Sequence, residues 1–145
     1  MKFLGRYDIA DKLGYLSGAQ LSKMLSIKKF DAVVPVPLHP TRVRERGYDQ
    51  NLALARSISS FVGIEVNNNL IIRQRNTRPQ SRLSDIERSS NLENAFGYNN
   101  SIQSDIPHAV LLIDDVIHSG ATVGGCVTIL KKMSIKYIHI VSICG

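Results

Sequence analysis

Two cysteines, Cys126 and Cys144, are too few and too isolated for a disulfide framework, and no Cys-x-x-Cys pair points to a zinc site. They read as two buried, reduced thiols. No apolar run approaches the length of a membrane span, and the start MKFLGRYDIADK lacks a signal-peptide core. The chain therefore reads as cytoplasmic, with no membrane span. A Walker-type nucleotide site is removed by the lack of any G-x-x-x-x-G-K-[ST] string. Low-complexity tracts, internal repeats and linkers are missing as well, so residues 1–145 read as a single domain with room for a real core.

What is present is positive charge. The formal net charge is +6, and much of the arginine falls in two stretches, Arg42-Arg44-Arg46 and Arg73-Arg75-Arg78-Arg82. Such runs suit solvated loop faces, a phosphate or pyrophosphate ligand, or nucleic acid. Aromatics are only 6% of the chain and few interleave the arginines, which weakens a single-strand stacking platform.

Periodicity orders the elements. Residues 7–28 read as a helix of imperfect 3.6 period, weakened by Gly14 and Gly18. Asp31 to Val36 is a short apolar strand, and Pro35, Pro37 and Pro40 predict an extended or turning path after it. Tyr48, Leu52, Ala55, Ile58 and Val62 recur at helical spacing, predicting a helix over Asp49–Val62 that Gly63 stops. Ile64–Val66 and Leu70–Ile72 are short strand candidates. Residues 73–95 read as a long mobile loop with one helical turn near Asp85–Arg88, of a length that is uncommon in compact domains and often functional. A central strand at Ala109–Ile113, a helix marked by Val123, Val127 and Leu130, and a strand at Tyr137–Ile143 complete an α/β order with a parallel sheet.

The segment VLLIDDVIHSGAT, residues 110–122, carries the chemistry. A buried-strand run ends in adjacent carboxylates, Asp114 and Asp115, and the small, hydroxylated turn Ser119-Gly120-Ala121-Thr122 opens a helix. Carboxylates at a strand end accept hydrogen bonds from vicinal hydroxyls. Gly120 permits a backbone that turns N–H groups outward, and the helix start adds favourable potential for a phosphate. A phosphorylated sugar offers both groups. The bland alternative for the acid pair alone is a solvated loop with Thr122 as helix cap. A receiver domain carries its acid pair on the first strand, with several βα units to follow; here one helix and one strand follow.

Residues 110–122 resemble the 5-phosphoribosyl-1-pyrophosphate (PRPP) motif of type I phosphoribosyltransferases. More closely, the chain is similar to the ComF/GntX branch of that family. The likeness is carried also by VVPVPLHPTRVRERGYDQNLALA (residues 33–55), by Arg78-Pro79-Gln80-Ser81 and by Arg88, Asn91 and Ala95-Phe96, and it covers residues 2–145. It implies a parallel sheet flanked by helices, a mobile flap, and phosphoribosyl transfer from Mg²⁺-PRPP to an undefined acceptor. It also implies a link to competence and DNA uptake, hence to nucleic acid, and is compatible with a homodimer. Asp114 and Asp115 would be catalytic, holding the ribose hydroxyls and, through PRPP, the Mg²⁺. His118, Ser119, Gly120, Ala121 and Thr122 would hold the 5′-phosphate. Pro37, Leu38 and His39, with Arg42, Arg44 and Arg46, would meet the pyrophosphate. Residues 74–95, with Arg78, Gln80 and Ser81, would form the flap.

The chain departs from the family pattern at three points. His118 stands where a hydroxyl residue is common, either as a solvent-facing loop histidine or as a pH-sensitive phosphate partner. Asp49 replaces an asparagine and reads as a helix start. The N-terminal Cys-rich zinc module of full-length ComF-like proteins is absent, which suggests a short form or a fragment. A PRPP-binding accessory protein without turnover is the rival reading, and single-stranded nucleic-acid binding through the basic loops a third.

Overall fold

Continuous burial along two apolar runs builds the centre of the fold. The structure, a computed structural model, describes residues 4–24, 29–75, 95–101 and 106–144, with the backbone alone for residues 4–11, 22, 24 and 144. In chain order the elements are α1 (Leu4–Met24), β1 (Ala32–Pro35), α2 (Pro40–Arg46), α3 (Gln50–Val62), β2 (Ile71–Arg73), β3 (Phe96–Tyr98), β4 (Ala109–Val116), α4 (Ala121–Lys132) and β5 (Tyr137–Cys144).

Strand β4 is central and parallel to both neighbours. Ala32 of β1 stands opposite Val110 and Pro35 opposite Ile113, while β5 sets His139 opposite Leu111. Both faces of this sheet are covered, which is why its strands read as unbroken apolar runs. Ala32, Val34, Val110 and Leu112 pack under α4 with Val123, Cys126 and Leu130. Val33, Leu111, Ile113 and Val141 meet Leu54, Ala55 and Ile58 of α3 and Leu21 of α1. The protein is thus α/β, a parallel sheet flanked by helices, as the sequence predicts. Cys126 is the buried free thiol expected of it; the Cys144 side chain lies outside the described residues.

Several elements differ from the sequence expectation. Asp114 and Asp115 belong to β4 itself, which runs three residues past Ile113. The proline-rich segment is not merely extended: Pro40–Arg46 is a helix, with His39 as N-cap and Gly47 closing it at φ 83°. Proline at the first helical position costs no hydrogen bond, so Pro40 starts the helix rather than preventing it. Ile64–Val66 contributes one parallel bridge, Val66 to Val33, in place of a strand. Ile71–Arg73 does form a strand, but it pairs antiparallel with Phe96–Tyr98 in a second sheet that the sequence does not predict.

Glycines 14 and 18 weaken α1 as a helix yet let it approach α3. A Cβ on Gly14 would lie 2.5 Å from Ser57 Cβ, and one on Gly18 would lie 2.9 Å from Phe61 Cβ. Close helix contact thereby offsets the intrinsic penalty of glycine, about 1 kcal/mol each. Expected residues 25–28 of this helix, and the helical turn near Asp85–Arg88, lie outside the described residues.

Candidate functional site

The carboxyl ends of β1 and β4 open into a cleft of about 620 Å³. Ligands in open parallel sheets bind at such ends, where loops lead into helices. Asp114 shares the sheet face of Val110 and Leu112 by strand alternation, so it points beneath α4 and is only 6% exposed. Asp115 is half-buried, and its Oδ1 accepts from the N–H of Val116 at 2.9 Å. Both acids line the cleft.

The residue that joins these strand ends is Asn51, in the first turn of α3 and 2% exposed. Its Nδ2 donates to the Val36 carbonyl at 2.9 Å and to Asp114 Oδ1 at 3.1 Å. Its Oδ1 accepts from the Asp115 N–H at 2.9 Å. Asp49 caps the same helix, accepting from the Leu52 N–H at 2.9 Å, the helix-start role expected of it. Burial pushes the Asp49 carboxyl above its usual range, opposed by its backbone hydrogen bonds.

Burial also dominates the Asp114 carboxyl, pushing it up to about 6. The Asn51 hydrogen bond opposes that shift, and the neighbouring Asp115 charge adds to it. Behind Asp114, burial raises the Cys126 thiol far above its ordinary range, with the aspartate contributing, which leaves it a protonated core group.

The turn into α4 is open. Gly120 sits at φ 72° as the N-cap, and a Cβ placed on it would meet nothing within 4 Å. A left-handed backbone there favours glycine, and the cap residue itself has no side chain to cover the helix start. Gly120, Thr122 and His118 line the cleft with the two acids. Ser119 and Ala121 do not: the Ser119 hydroxyl accepts from the Ala121 N–H at 3.5 Å.

Helix α2 sorts the arginines. Arg42 and Arg46 line the cleft together with Leu38, whereas Pro37, His39 and Arg44 are not among its lining residues. Instead, His39 Nδ1 accepts from the Thr41 N–H at 3.3 Å, and Arg44 turns to the Thr41 hydroxyl at 3.4 Å. Arg46 donates to Gln50 Oε1 at 2.7 Å. Partial burial, then the Arg46 charge, lowers the pKa of Arg42.

A third cleft arginine, Arg73, comes from β2; the sequence marked it as the first of the basic stretch Arg73-Arg75-Arg78-Arg82 but gave it no place in the site. It is 9% exposed and lies over the Phe96 ring, 5.2 Å from the centroid. Burial, then Arg42, lowers it to about 10, still charged at neutral pH. Gly125 lets the strand pair sit against α4, since a Cβ there would lie 2.9 Å from the Phe96 ring. Period 2 through Ile71-Ile72-Arg73 was the available signal, because it puts Arg73 on the buried side with Ile71. For Asn51 the signal was its place in the buried stripe 51, 54, 55, 58 of α3. The flap residues Arg78, Gln80 and Ser81 lie outside the described residues.

No group of three or more His, Cys, Asp or Glu side chains suited to a metal occurs among the described residues. Nor, among them, is any helix long and apolar enough to cross a membrane.

Comparison with known proteins adds a second line. No family model matches the chain. It is 33% identical over 130 residues to competence protein F of Haemophilus influenzae, covering 89% of this chain and 56% of that protein. DNA utilization protein YhgH is 29% identical in Salmonella typhimurium and 26% in Escherichia coli K12, each match covering 99% of this chain and 63% of the relative. The chain therefore spans about three fifths of the length of these relatives. Over most of its length it is thus similar to proteins named for competence and DNA utilization.

Proposed function

We propose that the cleft binds Mg²⁺-PRPP and transfers its phosphoribosyl group to a nitrogenous acceptor. The observation that carries this reading is one shared cleft. The acids of β4, the uncapped glycine start of α4 and three arginines from α2 and β2 all line it. Asp114 and Asp115 would accept hydrogen bonds from the ribose hydroxyls. The first turn of α4, with Thr122 and His118, would hold the 5′-phosphate. Arg42, Arg46 and Arg73 would neutralise the pyrophosphate, where negative charge develops as it leaves.

In that reaction the acceptor nitrogen bonds to the anomeric carbon, the bond to the pyrophosphate oxygen breaks, and its electron pair leaves with pyrophosphate. The acceptor then loses a proton. No protein nucleophile is needed. Among the described residues no third His, Cys, Asp or Glu groups with the carboxylate pair to hold a metal, and such a pair would suit Mg²⁺ that arrives on substrate phosphates. When bound, that ion supplies charge stabilisation to the leaving group.

Isothermal titration with Mg²⁺-PRPP tests the proposal. Micromolar binding that collapses in Asp114→Asn with Asp115→Asn is the expected result; no binding, or binding indifferent to both changes, refutes it. The relatives' names speak of competence and DNA utilization rather than of an enzyme, which favours a second reading: an accessory protein that binds PRPP without turnover. Binding with no pyrophosphate release across a panel of bases and amines selects that one.

A further inference from the structure

We propose that Asn51 is a positioning residue for Asp114: its amide grips one carboxylate oxygen, sets the rotamer, and leaves the second oxygen for a ligand hydroxyl. The inference rests on the pentose-phosphate reading of the cleft. Its argument starts from cost. An asparagine buried to 2% exposure in the stripe that otherwise holds Leu54, Ala55 and Ile58 is unfavourable unless its polar atoms are bonded. Leucine there would fill space without that demand. Here both amide donor and acceptor atoms are used, on three partners that all belong to the carboxyl ends of β1 and β4.

The choice of a neutral donor matters. Asp114 faces Asp115 on its own strand, Arg73 from β2 and Cys126 from α4. Burial and Asp115 both favour protonation, which would put a proton on an oxygen needed as an acceptor. An amide donor favours the ionised form without cancelling its charge, so the carboxylate still attracts hydroxyl donors and a cation. An arginine in the same place would neutralise it. The bonds to the Val36 carbonyl and the Asp115 N–H fix the amide in turn, so the clamp is rigid rather than a loose surface contact.

The test is calorimetric binding of Mg²⁺-PRPP at pH 8 in wild type, Asn51→Ala, Asp114→Asn and the double variant, with ¹H–¹⁵N NMR of the Asn51 side-chain amide in the free protein. Asn51→Ala should weaken binding about tenfold in the wild-type background and less than about twofold in Asp114→Asn, since a positioning residue acts only through its carboxylate. Equal losses in both backgrounds, or no loss in folded Asn51→Ala, overturn the proposal. Should Asn51→Ala not fold, the free protein suffices: the Asn51 amide protons should be protected from exchange, and Asp114→Ala should release one of them. No protection in wild type overturns the clamp. Wild type that shows the protected amide yet ignores Mg²⁺-PRPP refutes the functional reading and leaves the clamp standing.

Discussion

The two ends of the β1–β4 pair use the same side chain for opposite purposes. At the amino end, Asp31 Oδ2 accepts from the N–H groups of His108 and Ala109 at 2.8 and 2.9 Å, and its own N–H donates to the Ala109 carbonyl. Asp31 is exposed, so its charge keeps its hydration while it closes the strand entry. At the carboxyl end, Asp114 is buried, receives one side-chain donor from Asn51, and faces an open cleft. One end is finished by its own backbone. The other holds a charge that the fold alone would prefer neutral. That contrast makes the carboxyl end the candidate site on energetic grounds, apart from any motif.

The largest expected effect lies at the open end. Asp114→Asn should weaken Mg²⁺-PRPP binding about 100-fold, close to 2.7 kcal/mol, measured by calorimetry at pH 8. It should not destabilise the fold there. A folded carboxyl near 6, above its unfolded value, contributes stability that is complete below about pH 4 and lost as pH rises through 6. The ionised group is thus a cost at pH 8, and thermal melts should show Asp114→Asn matching or exceeding wild type there but not at pH 4. A variant that loses both binding and stability at pH 8 would erase the distinction between the two ends.

Next comes the closed end. Asp31→Ala leaves two backbone donors without their acceptor and should cost about 2 kcal/mol by urea unfolding, with Mg²⁺-PRPP affinity unchanged in the folded protein. Loss of affinity without loss of stability would reverse the assignment of the two ends. A third test uses pH alone. Lowering pH from 7 to 5 protonates roughly nine tenths of Asp114, so wild-type affinity should fall about tenfold, and Asp114→Asn should lack that acid limb. The smallest effect separates neighbours on α2: Arg42→Gln should weaken binding about fivefold and reduce its salt dependence, while Arg44→Gln should change it less than about twofold. Equal effects would mean that Arg44 swings into the cleft.

The sequence was most legible where one physical rule acts alone. Val110–Ile113 read as a covered strand because nothing but burial on both faces explains four consecutive large apolar residues. Asp49 and Gly63 marked both ends of α3 because capping is local chemistry. Legibility failed where contacts came from far along the chain. The strand Phe96–Tyr98 is short and holds a glycine, and it exists because β2 pairs with it and Phe96 packs on Gly125. Helix α2 hid among prolines because three of them suggest an extended path, while the His39 cap and Gly47 decide the outcome. Arg42, Arg44 and Arg46 looked equivalent in sequence, and only the helix turn sends two of them to the cleft.

By itself, then, the order of residues determined the sheet's covered strands, the acid pair beside a glycine-opened helix, and the excess of positive charge. Those follow from short-range rules of burial period, capping and backbone freedom. Tertiary structure decided which polar groups share the cleft. Asn51 reaches Asp114 across 63 residues, and Arg73 comes to the cleft wall from a separate sheet. It also decided how far burial moves the Asp114 carboxyl. Desolvation and hydrogen bonding depend on what surrounds an atom in space, and no spacing along the chain encodes that.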